Sequence, residues 1–588
     1  MRKKMYLNIV HRTGNSADDF AMFRDQQDLA HHYGFKTTMQ IGATALGNPE
    51  IISYFKAQRE KFGDEISISF HPSELDNEEV RKLLKTPEFA IYLLHYEHKK
   101  ALIDHLFGRF RDAFGLYPAS VGSYVLDSLS IKWIAGKYPG VKIAITNCFE
   151  EGINMFRGCN HTWYLFTEGG PWGAYYPSKD NMLCPALDND NFCGIIGVSH
   201  LNRDMLLAIA GRDDYFSSHP ANILRGRAND GDECPYNYHF IDQWLKQLEF
   251  NDFVYYNIYI GTQWMKAGAN FEEPTEYSVS LYADALKYLQ KKKDEGVAED
   301  MTMEEFAGWF SKNVPLGKPE VNHWDDILCG SPRQMAWYVD PFMRAAIDPN
   351  MGGAISDLRP LIGQIEKNPG ADTKHLHNSS YPFIINSQHR GGFIGGSIHC
   401  FEVGINGKNR QLLNYRTQCV MSKDSRGNHR IMIDPVEVKI DDVVITVGSS
   451  YTFSGNGIIE IERKVIDCSD RGAEVTITEF HRGCWGDTQY PADMRGIELS
   501  AIDSARHLRE RFSCDYRNRT VTIAGAGSMR AVIPQGNCSV TLASAPGEKA
   551  DSCFLEEGFM FCPFFTFRII KKVKKEGTLI SWLTIAKK

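Results

Sequence analysis

The feature that most constrains this sequence is a change of texture near residue 315. Before it, short apolar runs alternate with amphipathic helical stretches. After it, short strands follow one another, separated by Gly and Asn turns. A βαβα pattern followed by all-β sequence calls for two architectures in series. The first run, residues 5–10, ends at His11. Ser16-Ala17-Asp18-Asp19 opens a helix as a capping box, and Gly34 stops it. Residues 36–41 read as a second strand. Asn48 and Pro49 form the N-cap and first turn of a helix that Gly63 ends. Residues 65–70 alternate as a strand, with His71 and Pro72 behind it, and Thr86-Pro87 opens a long helix closed by Gly115.

Strands over 119–122, 141–146, 194–199 and 253–260 complete a set of about seven, and two helices follow, the second from a capping box at Thr302–Glu305. Right-handed crossovers wind such a series into a barrel or an open sheet. Strand one is not followed by GxGxxG, and GxxxxGK[ST] is absent, so the nucleotide-binding open-sheet folds lose their main support. The expectation is an α/β chain: a (β/α)7-type barrel over 1–315, a connecting region with the first β-strands over 316–390, and an all-β sandwich over 391–588. Asn406-Gly407 and Glu576-Gly577 sit where hairpin turns belong.

Composition removes several classes of function. With 65 Lys+Arg against 73 Asp+Glu the 588-residue chain carries a net charge of −8. That argues against a nucleic-acid binder, which shows a basic face. Apolar runs of membrane-spanning length are absent. The start, MRKKMYLNIVHRTG, is too short in apolar residues for a signal peptide, so a cytoplasmic location is expected. The 14 cysteines form no CxxC and read as free buried thiols.

The order of features resembles the glycoside hydrolase/deacetylase barrel superfamily. The resemblance spans residues 5–310. It rests on the strand ending at His11, on Asp28-Leu-Ala-His-His-Tyr-Gly-Phe-Lys-Thr-Thr38, on Phe62-Gly-Asp-Glu-Ile-Ser-Ile-Ser-Phe-His-Pro72, and on Phe114-Gly-Leu-Tyr-Pro-Ala-Ser-Val-Gly-Ser123. That superfamily includes polysaccharide deacetylases and α-mannosidase-type and amylopullulanase-type hydrolases, some with a mutarotase-like β-sandwich after the barrel, and the resemblance implies a bacterial family of unknown function within it. A deacetylase carries an Asp-Asp pair at strand one and His-x-x-x-His after strand three. Here strand one ends His11-Arg12-Thr13, and Leu75 stands four residues after His71. The hydrolase branch places its nucleophilic carboxylate near the end of strand four, where Asp127 stands.

Glycosidic cleavage uses two carboxylates, one protonated and one ionised. Asp127 is the candidate nucleophile; its other reading is a cap for the helix after Ser128. Glu151 is the candidate acid/base, with Glu168 in reserve. Glu168 lies in a Gly-rich aromatic segment with Trp163, Trp172, Tyr175 and Tyr176, rings suited to stacking on pyranose faces or to pinning the loop itself. His11, His71, Tyr124, His200, Asp214 and His219 are candidate substrate contacts. His11, His71 and Asp127 also form a candidate ligand set for a divalent ion such as Zn²⁺. The expected function is a carbohydrate-active hydrolase acting on an oligosaccharide or glycoside. A metal-dependent deacetylase and a non-catalytic sugar-binding barrel are the alternatives.

Overall fold

The structure is a computed structural model. It describes residues 3–14, 17–70, 77–85, 91, 94–122, 126, 128–147, 171–199, 202, 204–206, 235–262, 265, 275–327, 330–365, 382–386, 396–486, 494–559 and 563–588.

The amino-terminal part is a curled parallel sheet with helices on its outside. Its strands are β1 (Lys4–Arg12), β2 (Thr38–Ile41), β3 (Glu65–Ser69), β4 (Ser120–Gly122), β5 (Ile143–Asn147), β6 (Ile196–Ser199) and β7 (Phe253–Gly261), in the order β6-β5-β4-β3-β2-β1-β7. A short β8 (Ala298–Asp300), not expected from the sequence, pairs parallel with the first half of β1, while the second half pairs with β2.

The helices are α1 (Ala17–His32), α2 (Pro49–Phe62), α3 (Glu78–Leu84), α4 (Tyr96–Phe114), α5 (Ser128–Lys137), α6 (Pro235–Lys246), α7 (Thr275–Asp294) and α8 (Met303–Asn313). Several ends are set by the side chains that the sequence marks. Asn48 accepts from Glu50 N with Pro49 at the first turn, and Gly63 closes α2 at φ 77°. Thr302 and Glu305 form a complete capping box on α8. Asp18 and Asp19 lie in the first turn of α1, where the helix dipole favours them. The long helix expected from Thr86 instead starts at Tyr96, and α3 is an additional element capped by Asn77.

β6 and β7 share no backbone ladder. Their seam is bridged by side chains. Asn202 Oδ1 accepts from Asn257 N at 2.6 Å, Asn202 Nδ2 donates to Tyr255 O at 3.3 Å, and Asn257 Nδ2 donates to Ser199 O at 3.2 Å. Lower on the seam, the free edge of β6 is met by an antiparallel bridge between Tyr175 and Gly197.

Alternation along the strands separates two layers. Ile66, Ile68, Met39, Ile41 and Val121 pack outward on α2, α4 and α5. Tyr6, Val10, Ile143, Ile145, Ile196, Val198, Tyr255 and Tyr259 face the lumen, whose amino end is plugged by Met303, Phe306 and Phe310 of α8.

The rest is two antiparallel sheets, one of 11 strands and one of 9, packed face to face over a single large core. The barrel followed by a sandwich is the architecture the resemblance implies. The strands Glu320–Asp325, Gln334–Val339, Arg344–Asp348 and Ala354–Arg359, which fall in the expected connecting region, belong to the larger sheet. Trp324 of its edge strand packs on Trp244 of α6, 5.2 Å between ring centroids, and joins the two parts. The nine described cysteines are free and buried, as expected of structural thiols. Among the described residues, no helix is long and apolar enough to cross a membrane.

Candidate functional site

In a barrel of parallel strands, the βα connections converge at the carboxyl end and carry the chemistry. At that end of the lumen, β1 contributes Arg12, β2 Gln40, β3 Ser69, β4 Gly122 and β7 Tyr259. Arg12 lies beside Gln40 on one flank and Gly261 on the other. Gln40 Oε1 accepts from the Tyr259 hydroxyl at 2.9 Å. Gly122 is required beneath it: a Cβ there would stand 2.1 Å from Gln40 Nε2. The inner wall is polar along β2–β4, mixed along β1, and apolar along β5 and β6, where Ile143, Ile145, Ile196 and Val198 face inward.

Deeper in the lumen, Asn8 bridges Thr38, Tyr255 and the Met301 carbonyl. Glu65 accepts from Glu304 N at 2.8 Å, at the start of α8. Burial pushes its carboxyl up to about 7. Glu65 belongs to the plugged end, far along the strand from the mouth, and acts there as a brace.

Of the residues expected at the site, His71, Tyr124, Asp127, Glu151, Trp163, Glu168, His200, Asp214 and His219 lie outside the described residues. The three that are described occupy packed positions. His11 is fully buried on the outer face of β1, against the helices. Its Nδ1 pairs with Gln27 Oε1 at 2.9 Å and its Nε2 with the Tyr282 hydroxyl at 2.6 Å. Burial lowers its pKa to about 4, so the ring is neutral. With both nitrogens engaged on the helix side, His11 does not fit the metal or substrate role expected of it. Strand alternation is the reason: the lumen position is Arg12, one residue on.

Trp172 and Tyr175, expected as stacking platforms, are also core residues. Trp172 packs edge-on to Trp337 at 5.6 Å, with the Arg344 guanidinium 5.3 Å from its ring. Tyr175 donates to the Met182 carbonyl at 2.6 Å, and Gly197 leaves room for its ring. Among the described residues, no group of three or more His, Cys, Asp or Glu is placed to hold a metal.

A separate pocket lies at the joint between barrel and sandwich, lined by Gly173, Tyr176, Phe253, Phe310, Glu320 and Asp340. Its carboxylates are held by the fold. Glu320 accepts from Gly173 N and Asn322, and Asp340 accepts from Phe342 N, Met343 N and the Tyr338 hydroxyl. The pocket includes the first residues of β7, so it is at the opposite end from the mouth.

Arg12, Gln40 and Tyr259 are the lumen residues that sequence reasoning passed over. The signal was present in the period-2 pattern of β1, where Asn8, Val10 and Arg12 share one face.

No protein-family model matches the chain, and no curated protein matches it. Among solved structures, a glycoside hydrolase/deacetylase-type protein from Parabacteroides distasonis aligns over 63% of this chain and 87% of its own, at 15% identity and a TM-score of 0.47. A galactose mutarotase-like protein from Clostridium acetobutylicum aligns over 46% of this chain and 98% of its own, at 9% identity and a TM-score of 0.30. A glycosyl hydrolase family 38 protein from Enterococcus faecalis aligns over 100% of this chain and 86% of its own, at 8% identity and a TM-score of 0.25.

Proposed function

We propose that this chain is a carbohydrate-active hydrolase working at the carboxyl end of the barrel. Its reaction is cleavage of a glycosidic bond, with Asp127 as nucleophile and Glu151 as acid/base, and Glu168 in reserve. The observation that supports this reading is the polarity of the lumen. The amino end is plugged by apolar side chains of α8, while the carboxyl end gathers Arg12, Gln40 and Tyr259, hydrogen-bonding groups suited to sugar hydroxyls and acid groups. In chain order Asp127 follows β4 and Glu151 follows β5, the side of the barrel where such groups act.

The test is turnover of a panel of nitrophenyl glycosides by the full chain and by Asp127→Asn. Loss of turnover with an unchanged thermal melt supports the assignment, and unchanged turnover removes it. Acetate release from acetylated chito-oligosaccharides that a chelator abolishes would replace the glycosidase reading with the deacetylase one. Sugar binding with neither activity would make the barrel a binding module.

A further inference from the structure

The mouth of the barrel holds a buried positive charge with no negative partner among the described residues. Arg12 is 3% exposed, and among the described residues it makes no ion pair. Its Nε has no hydrogen-bond partner among them. The other deeply buried arginines of this molecule are treated differently. Arg344 and Arg359 both bind the Asp357 carboxylate, and Arg463 binds Glu479 through two nitrogens. A buried guanidinium without an acceptor is costly, so the fold elsewhere always supplies one.

A second donor points the same way. Gln40 is fully buried, and its Oε1 is taken by the Tyr259 hydroxyl. Its Nε2 has no acceptor among the described residues. The backbone carbonyl of Gln40 is already used by Thr13 N at 3.0 Å. Arg12 and Gln40 are lateral neighbours on the lumen face, and the other neighbour of Arg12 is Gly261, which has no side chain to fill the space. Unmet donors on adjacent strands of the lumen face, one of them charged, are complementary to an oxyanion.

We infer that the ligand of this site carries an oxyanion on its sugar, a carboxylate, phosphate or sulfate, bound by the Arg12 guanidinium with Gln40 Nε2 as a further donor. The inference rests on the carbohydrate reading above and adds the charge of the substrate to it. Gln40 has a defined amide orientation, since Tyr259 holds the oxygen and the nitrogen stands over Gly122 as the donor left to use.

The test is calorimetric binding to the full chain of glucuronate, galacturonate, glucose 6-phosphate, glucose 6-sulfate, and neutral glucose and galactose. At least one acidic sugar should bind about tenfold or more tightly than its neutral parent, and which one separates carboxylate from phosphate and sulfate. Arg12→Met should abolish that preference, Arg12→Lys should keep part of it, and Gln40→Leu should weaken it. Equal binding of acidic and neutral sugars overturns the inference, as does a preference that survives in a folded Arg12→Met.

Should Arg12→Met not fold, a salt titration of the native chain decides. Raising salt from about 0.05 to 0.5 M should weaken the acidic probes alone, and salt-independent binding overturns the inference. Neutral glycosides cleaved in an Asp127-dependent way with no anion preference would sink this inference and leave the hydrolase reading intact. Binding of inorganic phosphate or acetate with no binding of any acidic sugar would overturn the inference, because the oxyanion would then not be carried on a sugar. No binding of any probe overturns it.

Discussion

The Gln247 side chain engages the backbone of His323 as a neighbouring strand would. Its Nε2 donates to the His323 carbonyl at 2.7 Å and its Oε1 accepts the His323 N–H at 2.8 Å. Asn251 does the same for Val321, donating at 2.6 Å and accepting at 3.1 Å. These two amides cap the edge strand of the 11-stranded sheet and fasten it to the barrel. An edge strand left open would offer its backbone to other chains.

Replacing Gln247 with Leu should therefore cost more than a lost surface contact. It strands the buried His323 N–H, at about 1–3 kcal/mol for a group left unmet, while the His323 carbonyl keeps the Gln243 amide at 2.8 Å. A urea titration should show a lower midpoint and a greater tendency to self-associate. An unchanged midpoint would show that water replaces the amide at no cost.

The β6–β7 seam predicts an ordering of two variants. Asn202→Leu removes both the acceptor for Asn257 N and the donor to Tyr255 O. Asn257→Leu keeps its own N–H bond to Asn202 and, among the described residues, loses the link to Ser199 O. Urea midpoints should place Asn202→Leu below Asn257→Leu, by about 1 kcal/mol or more. The reverse order would mean that the seam is not held by Asn202.

Two buried groups of the barrel oppose each other in pH. Glu65 is raised by burial from 4.5 to about 7, so the folded state keeps a proton that the unfolded state releases. Its share of stability is full below pH 4.5 and falls as pH rises toward 7, by about 3 kcal/mol in all. His11 is lowered by burial from 6.5 to about 4, so its share is full above 6.5 and falls as pH drops toward 4. Between these limits the slopes offset. Relative to the native chain, Glu65→Gln should make the stability slope with pH more positive across that window, and His11→Asn should make it more negative. Denaturation at several pH values reads both slopes directly.

In the sandwich, Arg463 is held by Glu479 at 2.8 Å and by the Tyr451 hydroxyl at 2.8 Å, and His399 Nε2 lies 2.6 Å from the same carboxylate. All of these groups are buried. Glu479→Gln leaves the guanidinium uncompensated and should cost about 3–5 kcal/mol. The Arg463 and His399 charges pull the Glu479 carboxyl down to about 2 against its desolvation, so its stabilisation is lost as pH falls from 4.5 through 2. Arg463→Met combined with Glu479→Gln should recover part of the loss in a thermal melt. A double variant no better than the single would assign the cost to packing.

The order of elements could be read from the chain because its causes are local. Asn48-Pro49 and Gly63 bound α2, and Thr302 with Glu305 starts α8, whatever surrounds them. The apolar run of β7 announces a strand buried on both faces. β8 escaped because three residues carry too little pattern to be seen.

The sequence by itself determined that strands and helices alternate first and that strands alone follow. Spacing, caps and turn residues act over a few positions, and those survive without the fold. Tertiary structure decided which face of each strand looks into the lumen. Position 11 looks conspicuous in the chain because histidine is chemically versatile, yet the curl of the sheet turns it toward α1 and α7 and gives the lumen to Arg12. A side chain's direction at a strand end is fixed by the pleat and by what packs behind it, and that neighbour arrives from hundreds of residues away, as Tyr282 does.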